Sequence, residues 1–555
     1  MSSVIDTNYE NIIQVYTDNV ANKTSSKTNR RFYELILLLW ALKQGYRGSI
    51  QFKKSTDLPH GGHQESDEQL FHNFVSRLGQ ICDSRKGIGG STVTAFAVLQ
   101  HPSNSEFVFA SNRRKTVELE TVRAYIHSIL ISLREASNCE DDDEREEYLA
   151  NLLRDVLIFC RERVKCYLKG LMDALKSCIA ICERQGSAAQ TTPSGGTQTS
   201  RVVSRVTFFT ELLSLAQLAI SNFQDDDEFL DHTEELISAL QKLQKPAMVV
   251  FINKKAGDDK SGNPEPWQEL RHHSGRLLAY RRAVETLWDA GSMWPELLDA
   301  FEVTCIDSST KSANPLPKES PQKGSEILTR MITDPSRTKY LDLLRTYDQN
   351  GCDLDKEISD EWTNKKFRPI VHAELLVLNW LETTGGTRPE RFFNNWRYIG
   401  CSKPSCMVCH LYFSVHPSGV QARGTHGNLY TKCRLPDNAD VFGMATEAEA
   451  LNKRLEIMQA MNAHFKQNIM RLLDEKAPGG RRHDSEYLSS LGRRGPGTTL
   501  GANLGGFGAQ LSQLNAQVGV GQQQQWAGST AYTESEVGDL GVESVSSSEV
   551  SSASG

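Results

Sequence analysis

The chain has 555 residues, of which 39% are hydrophobic and 24% are charged, and its formal net charge is -7. A chain of this length exceeds what one hydrophobic core usually organises, so we expect two or three domains together with unstructured parts. A net negative charge argues against a protein that coats nucleic acid along its whole length, although it leaves room for a local basic patch.

The start of the chain lacks the basic segment and the apolar segment that a secretory signal combines. The longest apolar run, Leu35 to Leu42, is far shorter than the roughly 20 residues of a membrane-spanning helix. The 12 cysteines are scattered without the regular spacing of a secreted disulfide framework. These features predict a soluble, intracellular protein with no membrane partner, and they leave the compartment open.

Residues 1–185 are expected to form a mainly α-helical N-terminal region. Phe32 to Leu42 is typical of a buried helix, and Gly87 to Gly90 of a turn or loop. From Asp141 to Glu183, apolar residues recur every three or four positions. This spacing predicts one uninterrupted helix with an apolar face.

The rest of the chain divides by composition. Residues 186–200 are of low complexity and predict a mobile linker, which is followed by a helical region over 201–305 and a second linker over 306–326. Residues 477–555 are rich in Gly, Gln and Ser and predict a disordered tail, because such a segment cannot bury enough apolar surface to fold. Residues 327–476 remain as a compact unit.

This unit contains residues with the chemistry of a zinc site. His372 is followed by Cys406 and Cys409, and Glu374 stands two positions after the histidine. Zinc favours imidazole nitrogen and thiolate sulfur in a tetrahedral arrangement, and a catalytic site keeps the fourth position for water. A carboxylate beside that water can accept its proton and pass it to a leaving amine. We therefore predict Zn2+ as cofactor, the histidine and two cysteines as ligands, and Glu374 as the catalytic residue.

Local patterns place these residues at the starts of helices. Pro369 predicts an extended entry, and the apolar segment that begins at His372, HAELLVLNWLE, predicts a helix packed against a sheet. Arg397 to Gly400 predicts a strand, and Cys406 to Val415 a second helix that Ser405 could cap. Both thiols would then lie in a first helical turn, where the helix dipole stabilises thiolate.

The pattern is specific because its parts occur together. Two other His-x-Glu triplets begin at His63 and His232, but no such pair of cysteines follows either within 60 residues, and we interpret both as solvated surface. Cys406 and Cys409 form the only Cys-x-x-Cys pair among the 12 cysteines.

The sequence around these residues resembles a known family. HAE followed by KPSCMVC resembles the signature of the cytidine-deaminase-like superfamily of zinc deaminases. The segments FRPIVHAELLVL, WRYIGCSKPSCMVCHLYF and RGTHGNLYTKCRLPD are similar, over residues 368–436, to a nucleic acid/nucleotide deaminase group found widely in fungi. The resemblance implies an α/β fold, a three-layer α/β/α zinc deaminase domain with a mixed sheet. It also implies His372, Cys406 and Cys409 as ligands and Glu374 as proton shuttle.

One departure from the superfamily pattern leaves an alternative ligand. The superfamily places proline directly before the first cysteine, whereas Ser405 intervenes here between Pro404 and Cys406. Cys401 is therefore an alternative ligand, although the end of a buried strand is its better interpretation. Cys433 is interpreted as a packed thiol, because a fourth protein ligand would close the site to water.

Three further histidines lie near the pattern. His426 stands in a glycine-flanked turn that the resemblance includes, so it is a candidate substrate-binding residue, with a plain turn histidine as the alternative. His410 and His416 are expected on a helix surface.

The candidate unit is locally basic. From Glu361 to Leu435 there are ten basic and four acidic residues, a balance of +6, and aromatic residues are interleaved with them. This mixture suits a phosphate-bearing substrate such as single-stranded nucleic acid. The alternative is a solvated positive face above core aromatics.

The resemblance implies a zinc-dependent hydrolytic deaminase that acts on a nucleobase in a nucleoside, nucleotide or nucleic acid, at C4 of cytosine or C6 of adenine. One alternative is a catalytically inactive or structural zinc module in an interaction protein, which a closed site with a fourth protein ligand would favour. Another is a retained fold with a different zinc hydrolysis. The protein partners of the N-terminal helical region stay open.

Overall fold

The computed structural model describes residues 26–44, 66–85, 90–139, 141–190, 196–257, 264–317, 320–349, 353–436 and 447–475. Helix α1 spans residues 26–44, and the buried helix predicted from Phe32 to Leu42 is confirmed. Of the turn predicted from Gly87 to Gly90, only Gly90 is described, with a φ of 62°. The tail predicted over 477–555 lies outside the described residues.

The strands form one mixed sheet. They are β1 (Thr94–Gln100), β2 (Ser105–Ser111), β3 (Phe301–Ile306), β4 (Tyr398–Cys401) and β5 (Gln421–Ala422). Their order across the five-stranded sheet is β3-β2-β1-β4-β5. Strand β1 is antiparallel to β2 and to β4, whereas β2 with β3 and β4 with β5 are parallel pairs. The expected mixed sheet is confirmed, and β4 confirms the strand predicted from Arg397 to Gly400.

Strand β1 contributes to two separate cores. Its sequence, TAFAVLQ, places Phe96 and Val98 in one apolar cluster and Ala95, Ala97 and Leu99 in the other. Successive side chains of a strand point to opposite faces, so each cluster covers one face of the sheet. The first cluster includes residues of α2 (Asp67–Cys82), α3 (Thr116–Asn138) and α9 (Glu265–Met293). The second includes residues of α1, α14 (Ala373–Thr384) and α16 (Glu447–Glu475).

A long helical segment separates β2 from β3. Besides α3 and α9 it contains α4 (Asp142–Phe159), α5 (Arg161–Gln190), α6 (Gly196–Ser221), α7 (Asp226–Leu240), α8 (Pro246–Ala256) and α10 (Glu296–Asp299). The single helix predicted from Asp141 to Glu183 is wrong, because the chain breaks between α4 and α5 at Cys160. The Cys160 thiol is buried and lies 3.1 Å from the carbonyl oxygen of Ile81, at the end of α2.

The predicted linkers contain more structure than expected. Helix α5 continues to Gln190 and α6 begins at Gly196, so described helix enters the 186–200 segment from both sides, and residues 191–195 lie outside the described part. After β3 the chain is irregular over 307–317, yet it is bonded to the segment that leads into α14. The Ser309 hydroxyl accepts a hydrogen bond from the Val371 N–H at 2.9 Å.

The remaining helices complete the second face of the sheet. They are α11 (Gly324–Met331), α12 (Arg337–Gln349), α13 (Leu354–Thr363) and α15 (Met407–Val415). Strand β4 pairs with β1 through Ala95 opposite Cys401 and Phe96 opposite Gly400. Among the described residues, the predicted 327–476 unit therefore supplies only β4 and β5, and the other three strands of its sheet come from upstream segments.

Helix α6 contains the most membrane-like stretch found among the described residues. By length and composition alone, its stretch Val202–Ser221 could cross a membrane, and 28% of that window is buried. Phe209, Leu212 and Ala216 are fully buried in the first apolar cluster. In the described part of the chain, this helix is thus a component of the helical bundle beside the sheet.

Candidate metal centre

His372 lies where an extended segment turns into α14. It is the N-cap residue of that helix, with φ -75° and ψ 156°, and its side chain makes no capping hydrogen bond. Asn112, just after β2, supplies the cap instead, because its Oδ1 accepts a hydrogen bond from the buried Ala373 N–H at 2.8 Å. The first N–H groups of a helix have no partner within it, so Asn112 satisfies a donor that the histidine leaves unpaired. The imidazole is thereby free to face the two cysteines.

Cys406 and Cys409 lie at the start of α15, which follows β4 after a short loop. The cap of this helix differs from our prediction, because Cys406 rather than Ser405 is the N-cap residue. Its Sγ accepts a hydrogen bond from the Cys409 N–H at 3.5 Å. Ser405 instead pairs through its backbone, and its N–H donates to the Gly424 carbonyl at 2.8 Å. Both thiols occupy the first turn, as the sequence predicted.

The predicted ligands come together, and a fourth residue joins them. Ligand atoms of His372, Cys406, Cys409 and Cys433 all lie within 4.8 Å of one another. Nδ1 of His372 is 3.6 Å from Sγ of Cys406 and 3.4 Å from Sγ of Cys409, and the sulfurs of Cys409 and Cys433 are 3.8 Å apart. A tetrahedral zinc with bonds of about 2.3 Å to sulfur and about 2.0 Å to nitrogen requires edges of about 3.8 Å and about 3.5 Å. The group fits zinc.

Cys433 is fully buried, as expected of a packed thiol, and its sulfur also lies among the candidate ligand atoms. Its segment is bonded to the extended entry of α14, because the Ile370 N–H donates to the Lys432 carbonyl at 3.0 Å and the Arg434 N–H donates to the Ile370 carbonyl at 2.8 Å. This bridge puts Cys433 beside His372. Pairing between segments so far apart in the chain leaves no local signal in the sequence.

The electrostatics of the four side chains suit a cation. Burial alone would lower the pKa of His372, but the neighbouring Cys433 and Cys406 side chains raise it well above its usual value. Burial would raise the pKa of Cys406, yet its hydrogen bonds with Cys409 and Cys433 bring it well below its usual value. Negative charge thus collects on the sulfur of Cys406, whereas burial and the neighbouring sulfurs raise the pKa values of Cys409 and Cys433. A divalent metal ion would neutralise the Cys406 charge and favour loss of the other two thiol protons.

Glu374 lies in the first turn of α14 and is only 3% exposed. Burial raises the pKa of its carboxyl, against the opposing effect of His372, and its side chain also bonds with Cys409. A raised pKa makes a carboxyl group a better proton carrier near neutral pH. Because it bonds with Cys409, the Glu374 carboxyl lies beside the candidate ligands, where the sequence predicted it.

Cys401 lies at the buried end of β4 and is outside the group of four. This agrees with its interpretation as a strand residue rather than an alternative ligand. Burial raises the pKa of its thiol. A neutral thiol in that position is a packing residue.

The three histidines near the site have different environments. His426 is buried, its Nδ1 accepts from the Asn428 N–H at 3.0 Å, and its ring makes an edge contact with Tyr430, which also contacts the ring of His372. His410 is exposed, as expected. His416 is not on the surface, because its side chain is buried against Glu382. The C-terminal end of α15 points into the core there, which the local pattern did not reveal.

The basic and aromatic residues around the site are largely engaged within the fold. Arg391, Arg397 and Arg423 donate to backbone carbonyls, and Lys432 pairs with Glu361 at 3.6 Å. Most of the interleaved aromatics are buried, namely Phe392, Phe393, Tyr398 and Tyr412. The core interpretation of these aromatics is therefore the better one.

Sequence reasoning missed Asn112 and did not place Cys433 among the candidate ligands. Asn112 follows β2 and reaches α14 across a separation of 261 residues, so no spacing rule could connect them. Cys433 is brought to the site by the backbone bridge to Ile370, which likewise has no spacing signal in the sequence.

The site defines a class of protein. Two helix starts, one with His-Ala-Glu and one with Cys-x-x-Cys, meet beside a mixed sheet, as in zinc deaminases of the cytidine-deaminase-like type. Residues 371–437 match the family model described as OTT_1508-like deaminase. The predicted resemblance of this stretch to a cytidine-deaminase-like family is thus confirmed. The narrower likeness to the fungal group stays a prediction. No curated protein and no solved structure matches the chain.

Proposed function

We propose that the protein is a zinc-dependent hydrolytic deaminase that acts on a nucleobase. The observation that carries this proposal is the buried carboxyl of Glu374 beside His372, Cys406 and Cys409, within the stretch that matches a deaminase family. A purely structural zinc site has no use for a buried carboxyl group at that place, because burying an ionisable group destabilises the fold unless it is used or paired.

The roles of the residues follow from their chemistry. His372, Cys406 and Cys409 would hold zinc, and a bound zinc ion supplies Lewis-acid activation of a water molecule. Glu374 would accept a proton on its carboxylate and deliver it to the departing amine, so that ammonia leaves from C4 of cytosine or C6 of adenine. Its raised pKa suits both halves of this transfer.

The substrate is proposed from charge and position. The balance of +6 between Glu361 and Leu435 favours a phosphate-bearing substrate, a nucleotide or single-stranded nucleic acid. His426 is the proposed substrate-binding residue, since its ring and that of His372 both contact Tyr430. Several of the basic side chains bond within the fold, so the free nucleoside must be compared with the phosphorylated forms.

Glu374→Gln tests the proposal. The variant should keep zinc at the wild-type stoichiometry and lose ammonia release by about 10²-fold to 10⁴-fold, because the amide cannot carry the proton. Zinc content and ammonia release are measured on cytidine, adenosine, their monophosphates and single-stranded RNA and DNA. The matched control is Glu382→Gln, a second buried carboxyl on the same helix that contacts His416 and Lys453 instead of the cluster. Equal activity of Glu374→Gln and wild type would remove Glu374 from the mechanism.

A second candidate function is a catalytically inactive or structural zinc module in an interaction protein. The position of Cys433 favours it, because four protein ligands leave no place for water. Under this alternative, neither wild type nor any variant releases ammonia, and chelation of zinc unfolds the surrounding core.

Architecture and location complete the proposal. We propose a three-layer α/β/α arrangement of the domain, supported by the two apolar clusters that share alternate side chains of β1. We also propose an intracellular, soluble protein, supported by 11 free cysteines among the described residues.

A further inference from the structure

We propose that Cys433 is a fourth protein ligand that closes the metal site and keeps the enzyme latent. This inference rests on the proposed deaminase function. Its basis is geometric, because the sulfur of Cys433 lies 3.8 Å from that of Cys409 and within 4.8 Å of every other ligand atom of the group. The first distance matches the sulfur–sulfur edge of a tetrahedral zinc site, about 3.8 Å.

Cys433 is held at this point by its backbone. The Lys432 carbonyl and the Arg434 N–H both bond to Ile370, two residues before His372. The Tyr33 hydroxyl, from α1, donates to the Cys433 carbonyl at 3.4 Å. The thiol is therefore positioned by three hydrogen bonds that do not involve its sulfur, and it stays close to the cluster whichever group completes the coordination.

Cys433 is also the ligand that can leave at least cost. His372, Cys406 and Cys409 all lie at helix starts, and α14 and α15 are packed in the core. Cys433 lies in an irregular segment, so rotation about its Cα–Cβ bond moves the sulfur without moving a helix. Its departure would open the single coordination position that a hydrolytic zinc site reserves for water.

The closed state should be almost inert. Cys406 is 4% exposed, and Cys409 and Cys433 are both 0% exposed. An ion saturated by four protein ligands has no position for the water that Glu374 must deprotonate. Wild type should therefore release ammonia only from the fraction of molecules in which Cys433 has left the ion, and Cys433→Ala, which removes the sulfur and makes room for water, should release it faster by about tenfold or more. The effect of Glu374→Gln is accordingly measured in the Cys433→Ala background as well as in wild type.

X-ray absorption at the zinc edge tests the coordination on the full chain. Wild type should show three sulfurs and one nitrogen, whereas Cys433→Ala and Cys433→Ser should show two sulfurs with two nitrogen or oxygen atoms. The matched control is Cys401→Ala, which removes another buried thiol near the site but outside the group of four, and it should keep three sulfurs. The wild-type spectrum decides the coordination even if a Cys433 variant fails to fold.

The outcomes separate this inference from the proposed function. Two sulfurs in wild type would overturn the fourth ligand and leave the deaminase proposal standing. Three sulfurs in wild type, with no ammonia from any variant on any substrate, would instead overturn the deaminase proposal and latency with it, and make the site structural. Three sulfurs with a fully active wild type that gains nothing from Cys433→Ala would overturn latency alone.

Discussion

Asn112 shows how a single side chain prepares the site from a distance. Its Oδ1 accepts from the Ala373 N–H at 2.8 Å, and its Nδ2 donates to the Gly90 carbonyl at 3.0 Å. The residue thus ties the end of β2 both to the start of α14 and to the loop before β1. Because Asn112 performs the capping, the side chain of His372 need not, and it can serve the metal instead.

Asn112→Ala should destabilise the protein by about 1–3 kcal/mol, because it leaves the buried Ala373 N–H without an acceptor. Urea unfolding of the zinc-loaded protein measures the loss. Asn151→Ala, at an exposed position of α4, is the control and should stay within about 0.5 kcal/mol of wild type. Zinc affinity should fall with Asn112→Ala as well, since the orientation of His372 depends on the cap. If Asn112→Ala is as stable as wild type, a water molecule must accept the hydrogen bond of the Ala373 N–H in place of the Asn112 side chain.

At the site, the sequence predicted the residues that belong to the short motifs His-Ala-Glu and Cys-x-x-Cys. His372, Glu374, Cys406 and Cys409 could be placed because each lies at a helix start with a recognisable boundary. Cys433 and Asn112 could not, since Cys433 is brought in by backbone pairing with Ile370 and Asn112 by a side-chain hydrogen bond to Ala373, 261 residues along the chain. A single sequence holds no record of either contact.

Three helices meet at a buried cluster of charges away from the metal. Glu382 of α14 contacts His416 at the end of α15 at 3.4 Å and Lys453 of α16 at 3.2 Å. Glu382 is 5% exposed and the side chain of His416 is fully buried. The two site helices are therefore fixed relative to each other at the ends opposite their metal ligands.

This cluster predicts acid sensitivity. Burial alone would raise the pKa of Glu382, but His416 and Lys453 lower it below its ordinary value. Such a carboxyl stabilises the fold above its unfolded pKa, about 4.3, and the stabilisation is lost as pH falls through the folded pKa. The free energy of unfolding of wild type should thus exceed that of Glu382→Gln at pH 7, and the difference should shrink below about pH 4.

Urea unfolding of both proteins at several pH values measures this difference. Zinc ligands take up protons in both proteins, so their contribution cancels when the two curves are subtracted. A difference that stays constant, or that grows toward acid, would contradict the role of the Glu382 carboxylate.

Elements were predictable where their pattern is local. Helix α1 and strand β4 show local apolar or β-branched patterns, and α14 and α15 combine such a pattern with a boundary residue, Pro369 for α14. The hairpin of β1 and β2 is not predicted by local periodicity, although TAFAVLQ and SEFVFAS are rich in aromatic and β-branched residues. Their role depends on pairing with β4, which lies far along the chain, and periodicity within a window cannot show it.

The whole molecule is organised around a sheet that brings distant parts of the chain together. Strand β1 pairs with β2 over seven residues and with β4 over two, and β3 returns from the helical segment to pair with β2. The metal centre is attached to this sheet through β4 and through Asn112. Its geometry therefore depends on residues far upstream of the deaminase-like stretch.

A fragment of residues 327–476 should accordingly fail to fold as a unit. Without β1, Gly400 and Cys401 of β4 lose their partner strand, and apolar residues of α14 such as Leu378 lose the β1 and β2 surface of the second cluster. Comparison of this fragment with a chain of residues 26–475 is decisive, using thermal unfolding, near-ultraviolet circular dichroism and zinc content. The longer chain should unfold cooperatively with one zinc bound, and the fragment should show neither property. Cooperative unfolding of the fragment alone would mean that β1 and β2 are dispensable, and that the site is supported by its own helices.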